Sequence, residues 1–575
     1  MKSCPWLWFA PGILLSGAAI GFSNTGIEAA LGRSPGELQW GPALFRVLLG
    51  LHGLLLLAVG FTRLRAPRMS GGDRRQPVVS GPFPWGILTA LTIIGAALRL
   101  WRLDTCLWLD EILTMVDFAR PPLAHIVSSF PDQNQHMLFS IMAHNSVRMF
   151  GESAWALRLP SVLLGLASIW ALFLLGRIIL TRGEALLACT LMTFSYHHIW
   201  FSQNARGYMG LLFASILATW LWSEAQSRDS WRWWVGYAAT IAAGMWFHMT
   251  MLFVVATHAL ITAAVLLWRR DFSRLWKPLL AFTLCATFTL QVFALTLPEF
   301  LRSARGEISM PSEWTQPLWV VAELLKGLRI GFSGMAVVFC GGFLVLAGWL
   351  SLFRRRPSLA LAMVLPGLLG GVSMFALGHN LWPRFFFFCM GFALLVVIRG
   401  ASVIPALLAD WVRPLRSYRG IAAPAGIALA GLIIVASAAT VPRCYALPKQ
   451  DFTGARDFAV RIQAADEPIA TTGLAAHAYG KYYAREWKII RTAGEMAAFE
   501  QQNPRALLVY TLPIELKAFH PELWRKISAS FEPIKIFPGT LGGGEVYVCR
   551  RIPAGPQGRP SAATAQLGRG AEIAR

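Results

Sequence analysis

Thirteen apolar runs dictate what this chain can become. They fall at about 6–22, 43–62, 83–101, 158–177, 184–201, 208–224, 235–248, 249–268, 278–296, 333–352, 359–378, 384–399 and 421–440. A run of about 20 apolar residues crosses the hydrocarbon core of a bilayer as a helix, the one open structure that satisfies its own backbone polar groups there. Composition agrees: 55% of the 575 residues are hydrophobic and 14% charged, which excludes a soluble cytosolic enzyme. The fold class expected is an all-α polytopic membrane protein. Lys2 is the one basic residue before the first run, and no clear small-residue cleavage site separates it from the second, so it reads as a span and not as a signal peptide.

Lys and Arg number 52 against 30 Asp and Glu, a net charge of +22. Such an excess on one polar domain would suggest nucleic acid. Here it is spread over short segments between runs, among them Arg63, Arg65, Arg68, Arg74 and Arg75, then Arg177 and Arg182, then Arg269, Arg270 and Arg274, then Arg354, Arg355 and Arg356. The alternate segments carry the acids Asp104, Asp110, Glu111, Asp117, Asp132, Glu152, Glu299, Glu307 and Glu313. By the positive-inside rule the N-terminus and the basic segments are cytoplasmic, in an inner (plasma) membrane, and anionic lipid is the counter-charge. Thirteen crossings then put everything after residue 440 outside, in the periplasm or its equivalent.

That last segment has the composition of a soluble domain. Short β-like runs (Ile469–Thr471, Trp487–Arg491, Ala506–Thr511, Pro533–Phe537, Glu545–Cys549) are interleaved at first with helix-like stretches (Leu474–Ala484, Gly494–Gln502), which predicts a small α/β unit. It has no Gly-rich phosphate loop and is assigned no chemistry. Cys444 and Cys549 bracket it, and a disulfide between them is left open. The other cysteines form no Cys-x-x-Cys pair and read as structural thiols. The expected organisation is two extra N-terminal helices over 1–75, a transmembrane core over 76–440 with a large outer loop at 102–157, the α/β domain over 441–551 and a disordered tail over 552–575.

Chemistry concentrates in the outer loop. It carries Leu107-Trp108-Leu109-Asp110-Glu111-Ile112 and then Asp132-Gln133-Asn134-Gln135-His136. Paired carboxylates beside a span, among Trp and Leu, are costly unless used or paired, which makes Asp110 a site candidate. The competing reading is that both acids cap the helix starting near Ile112. A second cluster, Ser202-Gln203-Asn204-Ala205-Arg206-Gly207-Tyr208, closes the run at 184–201, and Arg384 opens the run at 384–399. Both arginines fall on the same side as Asp110. A guanidinium there grips a phosphate through its planar fork, or only snorkels to headgroups. His197 and His198 are adjacent and point apart on a helix, so a metal shared between them is not expected.

The order of these pieces, with Phe150-Gly151-Glu152-Ser153-Ala154-Trp155-Ala156-Leu157-Arg158-Leu159-Pro160-Ser161 between them, resembles the family 39 glycosyltransferases over about residues 83–400. These are GT-C fold enzymes similar to protein O-mannosyltransferases and the lipid A aminoarabinose transferases. The resemblance implies a polyprenyl-phosphate monosaccharide as donor and an essential acid at Asp110. Two departures stand out. Relatives often have His-Pro-Pro where this chain has Asn134-Gln135-His136-Met137, so only His136 matches. Many also carry an acid before the matching Arg, where this chain has Gln203 and Asn204, and a neutral amide at Asn204 argues against a divalent-metal cofactor.

A sugar phosphate brings its own good leaving group, so one base suffices, unlike the two carboxylates of a glycosidase. Asp110 is expected as that base, with Glu111 beside it in the catalytic pair. His136, Asn134, Arg206, Tyr208 and Arg384 are expected to bind substrate, the arginines on the lipid phosphate. The partners implied are a polyprenyl-phosphate sugar, the bilayer and a hydroxyl-bearing protein, lipid or glycan acceptor, with no nucleic acid. A transporter or flippase of lipid-linked sugars is the alternative. Such proteins usually show internal repeats and mid-membrane charges, whereas here the acids sit in outer segments.

Overall fold

The computed structural model describes residues 6–65, 82–228, 230–270, 275–304 and 335–552, together with 316, 318, 319 and 322. Arg68, Arg74, Arg75, Arg274, Glu307, Glu313 and the tail beyond 552, which figure in the sequence reading, lie outside the described residues. The chain divides into two compact units, Met1–Pro448 and Lys449–Arg575.

The first unit is helical, and every apolar run coincides with helix. It is a multi-pass membrane protein: seven helices among the described residues are long and apolar enough to cross a bilayer, against thirteen runs counted in the sequence. Part of the difference is physical. Residues 184–201 are broken into two helices, Arg182–Thr193 and Tyr196–Ser202, and Tyr208–Ser227 buries Ser215, Thr219 and Trp222, which lower its apolarity. The break leaves helix-end carbonyls needing donors. Arg99, fully buried, supplies them, donating to the carbonyls of Met192 and Thr193 at 3.3 Å each and to His198 Nδ1 at 2.7 Å. The residues after the second half, 203–208, begin against the end of the helix Trp85–Leu100. Gln203 Nε2 fastens them there by donating to the Arg99 and Trp101 carbonyls.

Residues 102–157 are not an extended loop. They fold into the short helices Leu109–Leu113 and Leu123–Ile126, a π-helical turn Thr114–Ala119, and the helix Met137–Phe150. Ser153 then caps the long helix Ala154–Ile179, its hydroxyl accepting the Ala156 N–H. That helix and Met390–Trp411 run through the unit's largest apolar core, with Leu172, Leu175, Met209, Leu212, Phe388 and Leu395 fully enclosed.

The second unit holds a five-stranded sheet of order β2-β1-β3-β5-β4, with β1 Ile469–Thr472, β2 Lys488–Ile490, β3 Leu507–Thr511, β4 Phe531–Phe537 and β5 Val546–Arg551. β1 is parallel to β2 and β3, and β5 is antiparallel to β3 and β4. All five strands and both interleaved helical stretches lie where the sequence predicts them, so the small α/β unit is present. The disulfide left open between Cys444 and Cys549 is not formed. The reason is burial: Cys444 packs with Tyr196, Ile199 and Val441 in the first unit, and Cys549 lies in the apolar core of the second with Leu508 and Tyr510.

Candidate active site

Asp110 and Glu111 open the helix Leu109–Leu113, where acids suit the dipole. Successive helical residues point about 100° apart, and the two carboxylates meet different arginines. Glu111 faces inward and is fully buried against Arg158, with Nη2 to Oε2 at 2.5 Å and Nε to Oε1 at 2.8 Å. It also accepts the Ala205 N–H at 2.8 Å. Arg158 spends its remaining donors on the carbonyls of Leu103, Thr105 and Cys106. A buried ion pair holds when every lone pair and proton is used, and this one ties the start of the outer segment to the long helix and to residue 205. Glu111, expected in the catalytic pair with Asp110, is thus engaged by Arg158 and the Ala205 N–H. Its carboxylate is committed to Arg158 and turned away from the Asp110 side.

Asp110 faces the other way. Its Oδ2 lies 3.0 Å from Arg384 Nη1 and 4.0 Å from Arg206 Nε. Arg206 is buried, and its Nη1 donates to the Asn134 carbonyl at 2.8 Å and reaches Thr114 Oγ1 at 3.4 Å. The Arg384 guanidinium stacks 3.9 Å from the Trp382 ring centroid, which fixes its plane. Among the described residues the buried Nε–H of each arginine has no hydrogen-bond acceptor. Two guanidiniums thus share one carboxylate and keep donors in reserve, an arrangement that suits a further anion.

The remaining expected residues join them. Asp132 Oδ1 accepts the Asn134 N–H, a turn that aims the Asn134 carbonyl at Arg206. Desolvation first, with Asp117 and Asp110 adding, holds the Asp132 carboxyl above its ordinary range. His136 immediately precedes the helix Met137–Phe150 and its Nδ1 lies 2.8 Å from the Phe247 carbonyl. Its ring centroid is 5.3 Å from Tyr208 and 5.1 Å from His248. Burial first, then the Arg206 charge, puts both imidazoles far below the ordinary histidine value, His248 at about 3. Gly207 makes this assembly fit: a Cβ there would stand 2.4 Å from the Phe247 carbonyl oxygen and 2.7 Å from His136 Nδ1.

Asn204 is engaged structurally, its Oδ1 accepting from Trp108 Nε1 and its carbonyl from Ser161 Oγ. Among the described residues no group of three or more His, Cys, Asp and Glu side chains could hold a metal ion. The sequence reading brought together Asp110, Asn134, His136, Arg206, Tyr208 and Arg384, and overlooked Thr114, His248 and Trp382. Thr114 follows Asp110 by four residues, a helical spacing that was there to be used. His248 lies at the junction of two apolar runs read as continuous spans, which hid the turn it occupies.

With this geometry established, comparison with known proteins locates the relatives. Residues 135–297 match the family profile of the dolichyl-phosphate-mannose-protein mannosyltransferases. The mannosyltransferase-like segment begins beside His136 and contains Arg158, Arg206, Tyr208 and His248, and it agrees with the resemblance read from the sequence. No curated protein matches. Similar solved structures include ArnT from Cupriavidus metallidurans in the apo state, at 13% identity and a TM-score of 0.48 over 82% of this chain and 99% of that one. The same protein bound to undecaprenyl phosphate gives 14% and 0.46, over 83% and 100%. The Archaeoglobus fulgidus oligosaccharyltransferase tethered with an acceptor peptide gives 12% and 0.42, over 80% and 73%.

Proposed function

We propose that this protein is an inverting glycosyltransferase that moves a monosaccharide from a polyprenyl-phosphate donor to a hydroxyl-bearing acceptor at the outer face of the membrane. The observation that carries the reading is the open pair of arginines on Asp110. The donor phosphate takes the spare Nε–H donors of Arg206 and Arg384. In doing so it draws Arg384 from Asp110, so donor binding itself frees the base. The acceptor oxygen then attacks the anomeric carbon from the face opposite the phosphate while its proton passes to an Asp110 oxygen. The anomeric carbon–oxygen bond breaks, and its electron pair leaves with the polyprenyl phosphate. The two guanidiniums balance the charge that grows on the leaving phosphate, in a site where low dielectric strengthens them. Glu111 and Arg158 hold the short helix so that Asp110 meets this geometry.

The test uses purified full-length protein in nanodiscs, a panel of polyprenyl-phosphate sugars, membrane extract as acceptor and mass spectrometry of donor and product. Consumption of one sugar-lipid by wild type, and not by Asp110→Asn, is the expected result. No consumption by wild type, with intact sugar-lipid crossing a reconstituted bilayer, replaces the transferase with a transporter.

A further inference from the structure

His136 and His248 are neutral neighbours whose backbone partners set opposite tautomers. The atom facing His136 Nδ1, at 2.8 Å, is the Phe247 carbonyl oxygen, which can only accept. The proton therefore resides on Nδ1 and leaves Nε2 as a lone-pair acceptor. The atom facing His248 Nδ1, at 3.2 Å, is the Thr250 backbone nitrogen, which can only donate, with Thr250 Oγ1 also at 2.8 Å. Here Nδ1 carries the lone pair, and the neutral ring bears its proton on Nε2. Phe247 and Thr250 flank His248 in the turn between the helices Trp231–Phe247 and Met251–Arg269, so one turn fixes both rings. Among the described residues neither Nε2 has a protein hydrogen-bond partner.

The ring centroids are 5.1 Å apart with a 31° tilt, and the Tyr208 ring packs on both at 5.3 and 5.4 Å. Rings at this separation bring their two Nε2 atoms within hydrogen-bond length of one ligand oxygen when both face it. We infer that His136 Nε2 and His248 Nε2–H form a matched acceptor–donor pair that reads one hydroxyl group of the transferred sugar, making His248 a specificity-determining residue. A hydroxyl is the group that gives a proton and takes a hydrogen bond at a single atom, so an ether, a carbonyl or a missing oxygen at that carbon leaves one ring nitrogen unpaired. Neutrality is part of the device. An imidazolium would have two donors and no acceptor, and desolvation first, with Arg206 and Arg384 adding, keeps that form away. The substrate named here rests on the transferase reading, while the tautomers do not.

The experiment therefore has two arms on the full-length protein in nanodiscs. In the first, ¹⁵N-histidine spectra at neutral pH, assigned with His136→Gln and His248→Gln, report which nitrogen of each ring is protonated. Opposite tautomers are expected; the same tautomer in both, or a charged ring, overturns the pair whether or not the protein transfers sugar. In the second, singly deoxygenated analogues of the consumed donor are compared by kcat/KM. Wild type is expected to reject one analogue by about a hundredfold or more, since a site built to bond a hydroxyl strongly rejects the analogue lacking it. His248→Phe should cut that discrimination to below about tenfold at that position alone, and His248→Gln, which restores an N–H donor, should recover part of it. Discrimination unchanged in His248→Phe, or reduced equally at every position, overturns the inference. Absence of transfer by wild type with any donor is instead a failure of the transferase reading.

Discussion

Two neighbouring carboxylates show how one local motif yields two fates. Glu111 and Asp110 each meet arginine, yet the pair on Glu111 is saturated, with its arginine's donors all directed to protein oxygens. The pair on Asp110 is unsaturated, with one carboxylate for two arginines and an Nε–H left over on each. A saturated pair fixes structure because nothing remains for a ligand to satisfy. An unsaturated one costs stability until a ligand completes it, which is the usual state of a functional site.

Exchanging the two carboxylates in turn tests that contrast most severely. Asp110→Asn is expected to lower the transfer rate by roughly 10²–10⁴-fold, the usual share of a general base, with circular dichroism and elution profile as in wild type. Glu111→Ala should do the reverse. Leaving the Arg158 charge buried alone costs about 3–5 kcal/mol, visible as a large fall in unfolding temperature, and the double change Glu111→Leu with Arg158→Met should regain most of it. If Glu111→Ala unfolds like wild type, the saturated pair is no anchor and the contrast fails.

Smaller effects sharpen it. Arg206→Lys retains the charge and loses the fork, so affinity for a polyprenyl phosphate, measured by equilibrium binding, should fall about ten- to a hundredfold. Acidification probes the neutral rings. With its folded value at about 3 against 6.5 unfolded, His248 takes up a proton on unfolding wherever the pH lies between the two. Its contribution is intact above about pH 6.5 and declines below it by about 1.4 kcal/mol per pH unit. His136 adds in the same sense. Thermal unfolding followed from pH 7 to pH 5 should show this slope, and His248→Gln should flatten it. Least affected is the half-exposed pair of Arg120 and Glu152, where Glu152→Gln should cost about 1 kcal/mol or less in the same assay.

What could be read from the sequence follows what is local. Apolar runs of span length and the alternating strands after residue 468 are short-range signals, and the helices and the five strands lie on them. Asp110, Arg206 and Arg384, which the structure brings together, stood out because charge beside a membrane span is expensive. The assignment of Glu111 to Arg158 was not, since two adjacent acids are equivalent until a helix turns them apart and a residue 47 positions away arrives to claim one. Nor could His248 be found, because its role depends on a turn whose backbone atoms decide where two protons sit.

One oxygen atom in that turn has a historical consequence. The Phe247 carbonyl accepts the His136 Nδ1–H hydrogen bond and leaves room at residue 207 for a hydrogen and nothing larger. A side chain at 207 would displace the carbonyl and the imidazole together. Among related chains, positions 136 and 207 should therefore covary, the glycine being kept wherever the histidine is. A larger residue at 207 becomes viable only in a lineage that has already given up the imidazole, so the order in which these two positions can change is itself constrained.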